Sequence, residues 1–316
     1  METRVIGKNG PKVSAIGLGC NNFGGRIDLA ATREVVAKAL DLGINFFDTA
    51  DIYGGRSYGN YGGSEVDLGA ALGSRRKEIV LATKFGMAMN EAGTLKGTSR
   101  AYVMAACEAS LKRLKTDFID LYQIHLPDPK TSIEETLRAL DDLVKQGKVR
   151  FIGCSNFSAA QIDEAMATAQ RLQLASFVSS QDEYSLLVRD IEKDELPAAT
   201  RHHLGFLPYF PLASGMLTGK YQRNAPGPKG ARLSAPGLGG RYLNDRNWAI
   251  VEKLEAFCAA RGKTLLELSF AWLLAHDAVP SVIAGATSAA QVEQNVRCAG
   301  WKLTAAEQEE VDRLTR

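Results

Sequence analysis

The chain has 316 residues, 45% of them apolar and 23% charged, with a formal net charge of +2. That balance argues against a largely disordered chain. The basic residues are interleaved with acids, which argues against a nucleic-acid surface, since such a surface needs clustered Lys and Arg. The five cysteines, Cys20, Cys107, Cys154, Cys258 and Cys298, are widely spaced and form no C-x-x-C pair. They therefore point away from a disulfide frame or a zinc site and towards reduced thiols. The polar start Met1-Glu2-Thr3-Arg4, with no apolar run near the ~18 residues of a membrane span, predicts a cytoplasmic protein.

The length suits one large α/β barrel or two smaller domains. An N-terminal hairpin comes first, followed by a Gly-rich candidate strand at 15–20. A helix with an apolar stripe of Val35, Val36, Ala39, Leu40 and Leu42 is predicted over 32–42. Gly43 stands where a left-handed C-cap residue is expected. Strands are predicted at 45–48 and 79–84, the latter preceded by Arg75-Arg76-Lys77, read as a solvated turn. Further strands are predicted at 118–125 and 149–155. Between them lies a helix over 132–145, started by Thr131-Ser132 with Glu134 and Glu135 in its first turn and ended before Gly147. The last strands are predicted at 177–181, 205–209 and 281–285. Strand–helix alternation of this kind indicates parallel βαβ units. Eight such units predict an α/β fold: a (β/α)8 TIM barrel with an N-terminal β-hairpin cap, forming a single domain over 1–316. The Gly- and Pro-rich stretch from 211 to about 245 is long for a loop and is read as a functional lid.

The apolar runs end in polar residues: Asp48, Lys84, His125, Ser155-Asn156, Gln181 and Tyr209. In a parallel barrel these ends meet at one mouth, where barrel enzymes place their sites. Asp48, Lys84 and His125, with Tyr53 close behind Asp48, suggest an acid site. A free tyrosine titrates near 10, and Lys84 is expected to lower that value, with Asp48 holding the lysine in place. A neutral His125 would orient a substrate oxygen, and Tyr53 would protonate it. No side chain supplies hydride, so a cofactor is implied. Ser155, Asn156 and Gln181 suit a carboxamide, and Tyr209 suits stacking on a flat ring. The fingerprint G-x-G-x-x-G is absent, because Gly17-Leu18-Gly19 continues as Cys20-Asn21-Asn22, and a Rossmann site is disfavoured.

These residues lie in longer motifs: Gly43-Ile44-Asn45-Phe46-Phe47-Asp48-Thr49-Ala50-Asp51-Ile52-Tyr53-Gly54, Ala82-Thr83-Lys84 and Asp120-Leu121-Tyr122-Gln123-Ile124-His125. Gly147-Lys148-Val149-Arg150-Phe151-Ile152-Gly153-Cys154-Ser155-Asn156-Phe157 and Pro211-Leu212-Ala213-Ser214-Gly215 follow in order. Over nearly its whole length the chain resembles the aldo-keto reductases, in particular the branch of potassium-channel β subunits and bacterial members. The resemblance implies a tetrad of Asp48, Tyr53, Lys84 and His125 acting on a small-molecule carbonyl with NADP(H). It implies a cofactor contact from Asp48, and nicotinamide contacts from Ser155, Asn156 and Gln181 with stacking by Tyr209. It also implies contacts from Pro211, Leu212 and Gly215, and adenosine-phosphate contacts from Gly285, Thr287, Gln291, Gln294 and Asn295. Gln294 stands where glutamate is usual and Ala284 where proline is common. The arginine often found near Gln291 is lacking, so NAD(H) is a second cofactor to consider. Arg232, or Lys220, is the substitute cation for a 2′-phosphate.

The remaining candidates are single residues. Asn21, Phe23, Tyr58, Tyr61 and Phe85 follow strand ends and are candidates for a substrate pocket. His202 and His203 are read as a helix end, His276 as a partner of a helix C-terminus, and Trp248, Trp272 and Trp301 as packing residues. No metal, nucleic-acid or membrane partner is expected, and an oligomer is compatible with the sequence. A nucleotide-sensing partner subunit with weak turnover is the alternative function. A metal-dependent barrel hydrolase is disfavoured by having four histidines and no H-x-H.

Overall fold

The computed structural model describes residues 1–55, 57–234 and 239–316. The hairpin β1 (Thr3–Val5) and β2 (Lys12–Ser14) is antiparallel and stands apart from the main sheet. The barrel strands are β3 (Ile16–Gly19), β4 (Phe46–Asp48), β5 (Val80–Phe85), β6 (Ile119–Ile124), β7 (Val149–Ser155), β8 (Phe177–Glu183), β9 (Gly205–Tyr209) and β10 (Val282–Gly285). They pair in parallel in the order β10-β3-β4-β5-β6-β7-β8-β9, and β9 lies against β10 to close the ring. The helices that cover them are α1 (Leu29–Asp41), α2 (Gly63–Leu72), α3 (Arg100–Leu114), α4 (Ile133–Lys145), α5 (Ala159–Leu172) and α6 (Glu195–Arg201). After β9 come α7 (Gly239–Tyr242), α8 (Asp245–Ala259) and α9 (Leu265–Leu274), and after β10 come α10 (Ala289–Cys298) and α11 (Ala305–Thr315). The fold is the expected (β/α)8 barrel with its hairpin.

Local chemistry sets the helix ends. Ser132 accepts a hydrogen bond from the Glu135 amide and so satisfies one orphan donor at the start of α4. At the end of α1, the amides of Gly43 and Ile44 bond back to the carbonyls of Leu40 and Ala39. That Schellman pattern requires the positive φ of 79° that Gly43 adopts without steric cost. The helix predicted from residue 32 starts three residues earlier, because the Asp28 side chain caps the Ala31 amide.

Two apolar layers hold the barrel together. A small cluster fills its interior with Phe46, Ala82, Leu121, Leu207 and Ile283, and the hairpin residues Ile6 and Val13 close it from below. The hairpin turn fits this role because Gly7 carries no side chain. A Cβ there would lie 2.6 Å from the carbonyl oxygens of both His203 and Val178. The larger layer lies between the outer faces of the strands and the helices. Each fully buried aliphatic or aromatic side chain in these layers contributes roughly 1.5–3 kcal/mol.

Several single-residue expectations change. Arg76 is not part of a solvated turn: it is buried, donates to Asp120 at 2.8 Å and to the Phe118 carbonyl at 2.9 Å, and lies over the Phe118 ring. Phe23 and Phe85 belong to the outer core, where Phe85 stacks on Tyr122. His276 lies beyond α9 and shares a hydrogen bond with the Tyr184 hydroxyl, and burial lowers its pKa, which disfavours the charge a helix-terminus role needs. His202 caps α6 and pairs with Asp163. Trp272 is fully buried, and Trp248 and Trp301 pack against the core as expected.

Candidate active site

Side chains alternate faces along a strand, so the inward rows of the barrel can be followed upward from its core. Phe46 is succeeded by Asp48, Ala82 by Lys84, Leu121 by Gln123 and then His125, and Leu207 by Tyr209. Each row changes from apolar to polar within two residues, at the C-terminal end of its strand. On β8 the same result needs an irregularity. The register slips so that Ile152 faces Phe177 but Gly153 faces Ser179, and Gln181 then meets Ser155.

The polar layer is a connected network. Lys84 is fully buried and donates to Asp48 Oδ2 at 2.5 Å, to the Thr49 carbonyl at 3.0 Å and to the Tyr53 hydroxyl at 3.4 Å. The other carboxylate oxygen of Asp48 accepts from Gln123 Nε2 at 3.2 Å and from Gln181 Nε2 at 3.1 Å. The buried carboxylate therefore has its cation and further donors, which is what keeps a buried ion pair from being costly. Burial opposes the Lys84 charge, but Asp48 and Tyr53 outweigh it and raise its pKa. His125 meets the Tyr53 ring edge to face, with centroids 5.8 Å apart. Burial, with the Lys84 charge adding to it, drives the His125 pKa well below its ordinary value, so the imidazole is neutral. Its Nδ1 is buried without a partner among the described residues.

Above this network opens a cavity of about 930 Å³. Asp48, Tyr53 and His125 line its floor, and Lys84 lies beneath them. Ser155, Asn156, Gln181 and Tyr209 form one wall. Asn156 is held at a φ of 59° by donating to the His125 carbonyl and the Ser155 hydroxyl while accepting from the Tyr209 hydroxyl at 2.9 Å. Pro211, Leu212, Gly215, Lys220 and Arg232 come from the long loop. Gly285, Thr287, Gln291, Gln294 and Asn295 come from the end of β10 and from α10. Every predicted cofactor contact thus faces one cavity. The long loop lies over it as far as Ser234, and its residues 235–238 lie outside the described residues.

The family model described as "Aldo/keto reductase family" matches residues 15–316. The chain belongs to the aldo/keto reductase family. It is 36% identical over 308 residues to a probable voltage-gated potassium channel subunit beta of Arabidopsis thaliana, covering 94% of this chain and 90% of that one. It is 34% identical over 304 residues to an uncharacterized oxidoreductase of Bacillus subtilis, covering 94% and 90%. It is 32% identical over 308 residues to the L-glyceraldehyde 3-phosphate reductase of Escherichia coli K12, covering 94% and 87%. The family and these relatives support an oxidoreductase.

Three features of this aldo/keto reductase site were not singled out in the sequence. Gln123 supports Asp48, and its signal was its place two residues before His125 on the same inward row. Arg26 lines the cavity, reaches across to the Gly230 carbonyl of the long loop, and is near enough to Lys220 and Arg232 to disfavour their charges. The third is the balance at Tyr53. Lys84 pulls the phenol pKa down, but burial outweighs it and the net shift is upward, opposite to the expectation from Lys84 alone. Of the suggested pocket residues, Asn21 and Tyr58 line the cavity, whereas Phe23, Tyr61 and Phe85 do not. No helix among the described residues is long and apolar enough to cross a membrane.

Proposed function

We propose that this protein reduces aldehydes or ketones to alcohols with NADPH, with Tyr53 as the proton donor. The observation that carries the reading is the Asp48–Lys84–Tyr53 chain beside a neutral His125 at the floor of the 930 Å³ cavity. The residues present suit a nicotinamide dinucleotide. Tyr209 offers a ring face, Ser155 and Asn156 offer polar atoms beside it, and Lys220 and Arg232 have no acid partner among the described residues. The nicotinamide supplies the hydride.

The protein's own residues do the rest. His125, being neutral, donates a hydrogen bond to the substrate oxygen without competing for its proton. Tyr53, protonated at neutral pH, gives its proton to that oxygen as negative charge develops on it. Lys84 then faces a growing tyrosinate, and Asp48, held by Gln123 and Gln181, keeps Lys84 charged and in place. Loops around the mouth exclude water from the reacting atoms.

The first test is titration of the purified protein with NADPH and with NADH, followed by protein fluorescence. Micromolar binding of NADPH, followed by its oxidation on adding an aldehyde, is the expected result. Binding of neither nucleotide would overturn the reading. A second reading rests on the relatives named as potassium channel subunits: a partner subunit that senses bound nucleotide and turns over weakly. Recovery of a stoichiometric channel partner, together with negligible turnover, would favour it.

A further inference from the structure

Two lysines belong to the cavity, and their surroundings are opposite. Lys84, beneath the floor, is fully buried and tied to Asp48 at 2.5 Å, and its pKa is raised. It is therefore charged, and an ammonium has no lone pair with which to attack a carbonyl. Lys220, on the long loop, lines the cavity and is exposed. It has no hydrogen-bond or ion-pair partner among the described residues. Loss of water around its amine, with the Arg26 charge adding to it, lowers its pKa. A lysine that is reachable, yet crowded by protein and by another cation, holds more neutral, nucleophilic amine than an ordinary surface lysine.

The loop is shaped around this amine. Gly215, at a φ of 100°, carries no side chain, and a Cβ there would lie 2.9 Å from Lys220 Nζ. The amine also stands 5.3 Å from the centre of the Tyr221 ring. That ring is buried, and its hydroxyl accepts from the Leu233 amide, so it is a fixed neighbour. Arg26 and Arg232 line the same cavity, Arg26 spanning to the Gly230 carbonyl and Arg232 lying over the Phe210 ring. The Arg26 charge is felt at both Lys220 and Arg232, so the three basic groups share one region. Two of them are guanidinium groups, which recognise phosphate, and the third is an amine able to react.

We propose that in the nucleotide-free protein Lys220 captures phosphorylated aldehydes as a reversible imine, with Arg26 and Arg232 holding the phosphate, and that bound nucleotide prevents the capture. The Nζ lone pair forms a bond to the carbonyl carbon, the carbonyl π electrons move to oxygen, and one Nζ proton passes to that oxygen. The carbinolamine then loses its hydroxyl and the remaining Nζ proton as water, and a C=N bond forms. No oxidant or reductant takes part, and Tyr53 is not involved. An aldehyde that arrives before the nucleotide thus occupies the place of the nucleotide's phosphates. Capture itself is independent of the reductase reading above, and only its prevention by NADPH rests on that reading.

The probe is pyridoxal 5′-phosphate, incubated with the purified protein and sodium cyanoborohydride. The reagent delivers hydride to the C=N bond and fixes the adduct as a secondary amine, which peptide mass spectrometry then locates. Lys220 is expected to be labelled at least about tenfold faster than any other lysine, because the phosphate is held beside it. Pyridoxal, which lacks the phosphate, should label Lys220 about tenfold more slowly, and so should pyridoxal 5′-phosphate on the Arg26→Gln variant, each having lost a charge-assisted contact. Lys220→Arg keeps the charge but offers no nucleophilic amine, and should lose this label while surface lysines keep theirs. NADPH at about ten times its Kd, with binding followed by protein fluorescence, should slow labelling of Lys220 about tenfold and leave surface lysines unchanged. Labelling without preference for Lys220, or equal rates with the two aldehydes, would overturn the proposal, as would an unchanged Lys220 rate with NADPH bound. If NADPH does not bind at all, the reductase reading falls, and preferential labelling of Lys220 in the nucleotide-free protein still decides the imine.

Discussion

Replacing Tyr53 by Phe separates chemistry from structure at this site. Among the described residues the hydroxyl has one hydrogen-bond partner, Lys84 Nζ at 3.4 Å, a long contact. Its loss should cost no more than about 1 kcal/mol of stability. The ring remains to meet His125 edge to face. As a positioned general acid, however, the same hydroxyl is worth about 10²–10⁴ in rate, or roughly 2.7–5.5 kcal/mol of barrier. The two effects differ enough to be read apart. Single-turnover stopped-flow of the NADPH complex mixed with an aldehyde should show hydride transfer slowed by at least about a hundredfold. The NADPH Kd and the melting temperature should stay near those of the parent protein. A variant whose single-turnover rate stays within about threefold of the parent would remove Tyr53 as the acid, because no other phenol reaches the Lys84 ammonium among the described hydrogen bonds.

Lys84→Met leaves Asp48, 3% exposed, without its cation. A loss of about 3–5 kcal/mol in denaturant unfolding is expected, and the Asp48→Asn/Lys84→Met double variant should recover much of it; additive losses would contradict the pairing. Arg232→Ala should weaken NADPH binding by about tenfold or more, as the loss of a charge-assisted contact would. If Arg232 holds the 2′-phosphate, NADH binding will be untouched, whereas equal weakening of both nucleotides assigns it to the shared phosphates, and no change in either discards it. Burial moves the Asp182 carboxyl from 3.8 to about 7, against a hydrogen bond from Ser180. A raised carboxyl stabilises the fold fully below its unfolded value and loses that contribution as pH rises through about 7. Asp182→Asn should therefore gain melting temperature relative to the parent between pH 5 and pH 8, by at most the equivalent of about 3 kcal/mol; a difference independent of pH would refute this.

What was legible in the sequence followed from local rules. Asp48, Lys84, His125, Ser155, Gln181 and Tyr209 could be placed together because parallel strands of a barrel bring all their C-terminal ends to one mouth, so a residue's position at the end of an apolar run already gives its location. All eight strands fell within a residue or two of the predicted bounds for the same reason. What was not legible depended on partners distant in the chain. Nothing near Arg76 reveals Asp120, 44 residues on, which draws it out of solvent. Nothing near Arg26 reveals the Gly230 carbonyl, 204 residues on. The unpaired residue at the β7–β8 register shift, which turns Gln181 inward, is set by how the closed sheet curves.

The Tyr53 hydroxyl also answers to its surroundings in the fold, with a consequence for mechanism. Proximity of Lys84 suggested a lowered phenol pKa, but burial of the hydroxyl is the larger effect. A phenol with a raised pKa is a poorer acid in the resting protein, yet a resting tyrosinate could donate nothing. Lys84 already has Asp48 at 2.5 Å, so before reaction the pair is electrically balanced and offers the neutral phenol little. Once negative charge moves from the substrate oxygen to the Tyr53 oxygen, the ammonium 3.4 Å away attracts it, in surroundings where such attraction is weakly screened. The stabilisation therefore grows along the reaction coordinate and is small at its start, which is the condition for an interaction to raise kcat and not merely tighten binding. By the same argument Lys84→Arg, which keeps the charge but spreads it over a planar group that cannot reproduce all three contacts, should lower the single-turnover rate much more than it raises KM. An increase in KM at unchanged rate would show that Lys84 serves substrate binding instead.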